Sequence, residues 1–328
     1  MEDLVPTAKI ADASDPNAVA EAADRLRRGG LVAFPTETVY GLGADAQNPL
    51  AVARVFEVKA RPRMDPVIVH AADADMAQYY GTFPKSAPRL IDKFWPGPLT
   101  LIVRKRPSVP PIVTAGLETV AIRVPAHPAA LNLIRAVGRA IAAPSANPFG
   151  YVSPTEAQHV VEQLGDKIDW ILDGGPCAVG IESTIVSLIT HPPSILRWGG
   201  ITVEALRSVL GELDCATTAA KRPQAPGQFK RHYATLTHLE IASEATILPR
   251  PFERVGLLCL APPDDGDRFA AVEILSPTGN MREATANLFR ALRRLDRLSL
   301  DRIIARPMRE EGLGAAIMER LRRCSYRG

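Results

Sequence analysis

The sequence predicts an α/β protein, on three observations. Short apolar runs alternate with segments whose apolar residues recur at helical spacing, so the first two thirds of the chain reads as strands exchanged with helices. Prolines number 29 in 328 residues, about 9% against a usual ~5%, and they punctuate element ends ("WPGPLT", "APSANP", "HPPS") rather than form a tract. Regular β/α patterning stops near residue 211 and returns after about residue 250, which implies a second, smaller unit.

The elements follow in order. "NAVAEAADRLRRGG" is helical and stops at Gly29 and Gly30, and "LVAFP" is a short apolar strand. "FPTETVYGLG" reads as a polar turn held by Pro35, Gly41 and Gly43. "PLAVARVFEVKA" is a helix with proline in its first turn, and "PVIVH" a strand ending at His70. Helices are expected near 72–80 and 84–94; "LTLIVR", "TVAIRVP" and "AIAAPSAN" are strands, with a helix at about 128–137 between the last two. A helix starting near Pro154 leads to "DWILDGG"; "STIVSLI" and "SILRWG" are strands before the helix "TVEALRSVLG". "GELDCATTAAKRPQAPGQFKRHYATLTHLEI" lacks periodicity and reads as a linker. "RVGLLCLAP", "AAVEILS", a helix from about 281 to 297, "DRIIARP" and a helix through "GAAIMERLRRC" complete the chain. The expected boundaries are 1–211, a linker at 212–250, and 251–328.

Composition narrows the function classes. Apolar residues make up 46% and charged residues 23%, as in ordinary soluble globular proteins, and no apolar run approaches the ~20 residues of a membrane span. The start "MEDLVPTAKIADASDPN" lacks a basic-then-apolar signal pattern, so a cytoplasmic protein with no membrane partner is expected. The four cysteines lie far apart with no CxxC, as expected of reduced thiols rather than metal ligands. Net charge is +3, from 39 basic and 36 acidic residues, too balanced to demand nucleic acid. Basic residues do stand in motif loops ("VKARPR", "AIRVP", "ILRWGG", "FKRHYA"), where a polyanion could meet them.

Several catalytic signatures fail. No GxxxxGK[ST] loop is present, since Gly175 to Gly180 lacks the lysine, and "GLGADA" and "GLGAAI" lack the last glycine of a dinucleotide fingerprint. HExxH and GxSxG are absent, and His70, His127 and His232 are scattered. No side-chain nucleophile and no metal ligand is therefore assigned. Taken alone, Lys59 and Arg61 in "KARP" read as a solvated helix end, Ser145 and Asn147 in "APSAN" as a cap or turn, and Arg197 as a strand-end surface charge. Thr119 and Ser153 fit the start of a strand or helix, and His70 a structural strand end. Arg123, within the apolar "AIRVP", needs an anion or a buried acid.

"PTETVYGLG", "KARP", "PVIVH", "WPGPLT", "TVAIRVPAHP", "APSAN", "SPT", "GIESTIV" and "ILRWGG" occur in that order. The ordered set resembles the YrdC-like family, in its long two-domain form; "APGQFKRHYA" and "EEGLGAAIMERLRR" resemble that form too, so the resemblance spans nearly the whole chain. It implies a twisted mixed α/β sheet around a basic concave cavity, plus a smaller Rossmann-like C-terminal domain. It also implies a nucleotidyltransferase that makes threonylcarbamoyl-adenylate and pyrophosphate from L-threonine, bicarbonate or CO2, and ATP with Mg2+, feeding the t6A modification of tRNA. The implied ATP-side residues are Lys59, Arg61, Asp65, Thr119, Ser145, Asn147, Ser153, Arg197 and Tyr233. On the L-threonine side are Thr38, His70, Arg123 and Ser183, with Thr36 beside them. Tyr233 would cover the nucleotide, making the linker a lid. Asp65, Trp198 ("RWGG") and Thr235 depart from the family's usual residues. The implied partner is the machinery that transfers the threonylcarbamoyl group to tRNA; direct tRNA binding stays open. The alternative is a non-enzymatic RNA- or ribosome-binding relative that uses the same basic concavity.

Overall fold

Alternation along single strands builds the larger unit and decides what faces its site. The computed structural model of the chain describes residues 8–215, 223–229, 232–241 and 249–326. These form two compact units: 1–149, 154–178 and 182–228 in the first, and 150–153, 179–181 and 229–328 in the second. Lys230 and Arg231 of "FKRHYA" and two stretches of the expected linker, 216–222 and 242–248, lie outside the described residues.

The first unit's sheet contains β1 (Lys9–Asp12), β2 (Val32–Phe34), β3 (Gly41–Asp45), β4 (Ile68–His70), β5 (Gly81–Thr82) and β6 (Leu99–Lys105). It continues with β7 (Thr119–Arg123), β8 (Ile141–Ala143), β9 (Trp170–Asp173), β10 (Thr184–Ser187), β11 (Ser194–Arg197) and β12 (Asp214–Cys215). The order is β1-β9-β2-β3-β8-β4-β7-β6-β10-β11-β12, with β5 paired to β6. Parallel and antiparallel pairs mix: β4 runs parallel to β7, which runs antiparallel to β6, which runs parallel to β10. The twisted mixed sheet that the family resemblance implied is thus the frame of this unit.

Side chains on a strand alternate between faces. On β4, β6, β7 and β10, Val69, Leu99, Leu101, Val103, Val120, Ile122 and Val186 enter the main core. Their neighbours in sequence, Ile68, Ile102, Ala121 and Ile185, form a separate apolar strip on the opposite face. His70 follows Ile68 by two residues and Arg123 follows Ala121 by two, so both leave the sheet on that opposite face.

Helices start where the local chemistry lets them. In α1 (Pro16–Arg27) Asp15 accepts from the Asn17 amide, and in α2 (Pro49–Lys59) Asn48 accepts from Leu50 and Ala51, each with proline in the first turn. α3 (Ala74–Tyr80), α4 (Ala87–Phe94), α6 (Ala157–Leu164) and α7 (Val203–Leu210) are short. α5 (Pro128–Val137) packs on α1 through small residues, including Ala22, Ala23, Ala129 and Ala130. α6 begins at Ala157, not near Pro154, because the Pro154 carbonyl accepts from the Tyr40 amide at 2.9 Å.

One correction concerns "YGLG". Gly41 and Gly43 do not fix a turn; they lie within β3, antiparallel to β2. Leu42 and Ala44 face the main core, while the glycines face Phe34. A Cβ on Gly43 would stand 2.8 Å from Ile141 Cγ2 and 2.9 Å from Phe34 Cε1. Glycine is needed there for close packing, not for backbone freedom.

The second unit carries a parallel sheet of β13 (Leu239–Ile241), β14 (Val255–Cys259), β15 (Ala271–Ile274) and β16 (Arg302–Ala305), in the order β13-β16-β14-β15. α8 (Met281–Asp296) and α9 (Leu313–Ser325) accompany it, giving the Rossmann-like α/β arrangement expected. β13 lies inside the stretch expected to be linker and pairs with β16. Among the described residues no helix is long and apolar enough to cross a membrane, and all four cysteines are free.

Candidate active site

The polar site begins at the exit of β2. After Phe34 the chain turns through Pro35–Val39, and its hydroxyls bond within the turn. Thr36 Oγ1 donates to the Val39 carbonyl at 2.6 Å and accepts from the Thr38 and Val39 amides. With its proton so used, Thr36 Oγ1 must accept from Thr38 Oγ1, 2.8 Å away. Thr38 Oγ1 in turn accepts from Arg123 Nη1 at 2.9 Å. The small hydroxyls thus present one ordered oxygen to a cation at the end of β7.

Arg123 is 3% exposed, and the acid its burial calls for is Glu37. Glu37 Oε1 lies 2.6 Å from Arg123 Nη2, and Oε2 accepts from the Ala126 amide at 3.0 Å. The sequence signal was present: Glu37 is the acid of the same turn. Its pairing with Arg123 was not legible, because the two residues meet only through the sheet. His70 stands beside Arg123 in the β4–β7 register, with its ring edge-on to Phe34 at 6.1 Å. Burial, then the Arg123 charge, lowers its pKa to about 3, so the imidazole is neutral near pH 7.

The row continues across β6 and β10. The pair Leu101↔Ile122 puts Thr100 next along, opposite Arg123. Thr100 and Ser183 share a hydroxyl bond of 2.7 Å. Ser183 accepts from Arg197 at both its carbonyl and its Oγ, each at 3.0 Å. Thr100 was not foreseen; its signal is its place between two core-facing leucines in "LTL". Arg197 also donates to the Pro226 carbonyl at 3.3 Å, and Ala225 packs on the strip of Ile68, Ile102, Ala121 and Ile185. Ala225 and Pro226 of the linker therefore lie on the site face.

Lys59 and Arg61 are not a solvated helix end, since they are 1% and 7% exposed. Lys59 is a buried position in the last turn of α2, and the left-handed Ala60 that ends the helix, with φ of 50°, reverses the chain before Arg61. Lys59 Nζ donates to the carbonyls of Ser145 and Asn147. The "APSAN" loop is clamped to the other side of "TVYG", with Ala146 N on the Tyr40 carbonyl and Leu42 N on that of Pro144, both at 2.8 Å. Arg61 donates from Nη2 to the Pro66 carbonyl at 2.7 Å, and the Asp65 carboxylate lies 2.8 Å from the same nitrogen without aligned hydrogen-bond geometry. Burial, then Arg61, pushes the Lys59 ammonium well below the ordinary lysine range. Burial raises the Asp65 carboxyl against the charges of Arg61, Lys59 and Arg197. Three basic side chains thus converge on one acid.

Ten of the expected residues fall in these connected groups: Thr38, Lys59, Arg61, Asp65, His70, Arg123, Ser145, Asn147, Ser183 and Arg197. Thr119 begins β7, opposite Arg104, at the far end from Arg123. Ser153 and Tyr233 belong to the second unit, where Tyr233 stacks on Phe289 at 5.4 Å. Trp198 packs against the main core, and Thr235 donates to the Thr237 carbonyl. A surface cleft of about 920 Å3 elsewhere in the first unit, lined by Asp12, Ser14, His127, Asn132 and Asp173 among others, includes none of the expected site residues.

Two family models match the chain. One, Sua5_yciO_yrdC, described as "Telomere recombination", covers residues 24–199. The other, "Threonylcarbamoyl-AMP synthase, C-terminal domain", covers residues 201–325. The chain is 41% identical over 321 residues to a threonylcarbamoyl-AMP synthase of Pyrococcus abyssi, covering 93% of each. It is 42% identical over 321 residues to one of Bacillus subtilis, covering 94% of this chain and 92% of the relative. Its fold matches the crystal structure of P. abyssi Sua5 complexed with L-threonine, with a TM-score of 0.88, 40% identity and 95% of each chain covered.

Proposed function

The chain belongs to the Sua5/YciO/YrdC family and carries that family's threonylcarbamoyl-AMP synthase C-terminal domain, and from that premise we infer its reaction. It is a threonylcarbamoyl-AMP synthase. The enzyme acts on L-threonine and ATP, and its product, threonylcarbamoyl-adenylate, serves the t6A modification of tRNA.

The finer reading is a nucleotidyl transfer that needs no protein nucleophile. The threonine nitrogen attacks the carbon of bicarbonate or CO2, and a carbamate oxygen then displaces pyrophosphate from the α-phosphate. The obstacle is repulsion among anions, which fixed cations and aligned donors remove while holding the reactants together. Lys59, Arg61 and Arg197, with the Ser145 and Asn147 loop, are assigned to the triphosphate; Asp65 offsets part of their charge. Arg123, Thr38, His70 and Ser183 are assigned to threonine. Tyr233, Ser153 and Thr119 remain assigned to the nucleotide on the family resemblance alone. Mg2+ is assigned to the ATP it accompanies, where it would bridge phosphate oxygens. Transfer machinery for tRNA remains the proposed partner.

The observation that carries this reading is a run of buried side chains: the near-neutral pair Arg123 and Glu37, Thr100 opposite Arg123 and bonded to Ser183, and Arg197, which bonds Ser183 and with Lys59 and Arg61 acts on the one acid Asp65. A zwitterion suits the pair and a polyphosphate the three cations. Incubation with ATP, L-threonine and labelled bicarbonate is expected to yield a labelled adenylate by mass spectrometry, with threonine-dependent pyrophosphate release. Tight, salt-dependent RNA binding without pyrophosphate release would reverse the conclusion.

A further inference from the structure

The Glu37 carboxylate is 8% exposed, and its two oxygens are used differently. Oε2 is anchored by the Ala126 amide at 3.0 Å. Oε1 lies 2.6 Å from Arg123 Nη2, yet neither atom has a hydrogen-bond partner among the described residues, because the N–H and the oxygen do not line up. Arg123 Nε is likewise buried with no acceptor, whereas Nη1 is committed to Thr38. The Nε–Nη2 edge of a guanidinium is the fork that takes both oxygens of a carboxylate. A donor fork and an acceptor oxygen therefore stand side by side in a desolvated place, ion-paired at 2.6 Å but with no aligned hydrogen bond between them.

Such a pair is complementary to a molecule with a carboxylate and an ammonium on neighbouring atoms, that is, an α-amino acid. A plain carboxylate would satisfy Arg123 and leave Glu37 Oε1 unmatched.

We propose that Glu37 contacts the substrate: its Oε1 binds the α-ammonium of the amino acid whose carboxylate lies on the Arg123 fork, and takes the first proton that the nitrogen loses. This rests on threonine being the substrate. One N–H bond breaks, its electron pair stays on nitrogen, and an O–H bond forms at Oε1. The nitrogen pair then makes the C–N bond to the bicarbonate carbon. Hydroxide leaves and combines with the second nitrogen proton as water, giving the carbamate. The proton on Glu37 returns to solvent when the site empties.

The neutral His70 ring is the rival acceptor, because its buried Nδ1 also has no partner among the described residues. Titration calorimetry on the full chain separates the two, with L-threonine and its desamino analogue 3-hydroxybutanoate as probes. Wild type is expected to prefer threonine. Glu37→Gln is expected to weaken threonine about tenfold to a hundredfold, the loss of one charge-assisted bond, and to bind the analogue more tightly, because Arg123 then faces no competing carboxylate, so that discrimination collapses. Glu37→Asp is expected to recover part of it, and carries the measurement if Glu37→Gln fails to fold. In turnover, Glu37→Gln should lower kcat and raise KM for threonine but not KM for ATP. Discrimination that survives in Glu37→Gln, or vanishes only in His70→Gln, overturns the assignment. A wild-type chain that binds no threonine would instead refute the proposed function itself.

Discussion

At the scale of single residues, the site is a set of buried charges that hold one another in the absence of substrate. Removing one partner then exposes the desolvation cost of the other. Arg61→Ala takes from the fully buried Asp65 carboxylate its ion-pair partner at 2.8 Å and leaves it only the charges of Lys59 and Arg197; it is expected to cost about 1–3 kcal/mol in urea unfolding. Adding Asp65→Asn should return much of that stability and none of the adenylate formation, which separates the structural from the chemical role of the arginine. His70 gives a pH dependence. Its folded pKa, about 3, is below the unfolded value near 6.5, so between those values the unfolded chain binds more protons. Stability is complete above about pH 6.5 and is lost as pH falls, with a slope approaching 1.4 kcal/mol per unit. His70→Gln should flatten the fall in melting temperature between pH 7 and pH 5; an unchanged fall would mean that other groups cause it. The need for a charge partner at Arg123 was legible from its apolar neighbours. Glu37 as that partner was not, because a sequence does not say which distant acid a strand brings near.

At the scale of elements, strands and helices with apolar periodicity were legible and β3 was not. In "GLGAD" the alternation is present, but glycines occupy the first and third places, so a propensity for turns masks a strand. The space they leave is taken by Phe34 and Ile141. Gly43→Ala is therefore expected to destabilise by about 1–3 kcal/mol through overpacking, read by chemical denaturation, and to shift "TVYG" with it. Gly199 makes a sharper test. A Cβ there would meet the Glu182 carbonyl oxygen at 2.3 Å and the Thr184 amide at 2.4 Å, backbone atoms that cannot rotate aside. Gly199→Ala should displace Ser183 and Arg197 and lower turnover more than it lowers stability. Equal losses would show that the β10 start is not set by this contact.

At the scale of the whole molecule, the break in periodicity marked a second unit, but the strand β13 inside the break and the grouping of residues 150–153 and 179–181 with that unit were hidden. Both depend on pairings between segments far apart in the chain, which local patterns do not report. The linker can be dissected by length. A chain ending at residue 212 loses Ala225 from the apolar strip, the Pro226 carbonyl from Arg197, and Tyr233; activity is expected to fall by more than the melting temperature. A chain ending at residue 229 keeps the first two contacts, and the difference in activity between the two assigns the effect. Along β7, Val120 and Ile122 turn one way and Ala121 and Arg123 the other. Within one five-residue segment, Val120 and Ile122 thus serve the main core while Ala121 and Arg123 face the candidate site, so a single inserted or deleted residue there would exchange the two at a stroke. Relatives that keep the activity should vary in length only at the proline-rich connections, never within this segment.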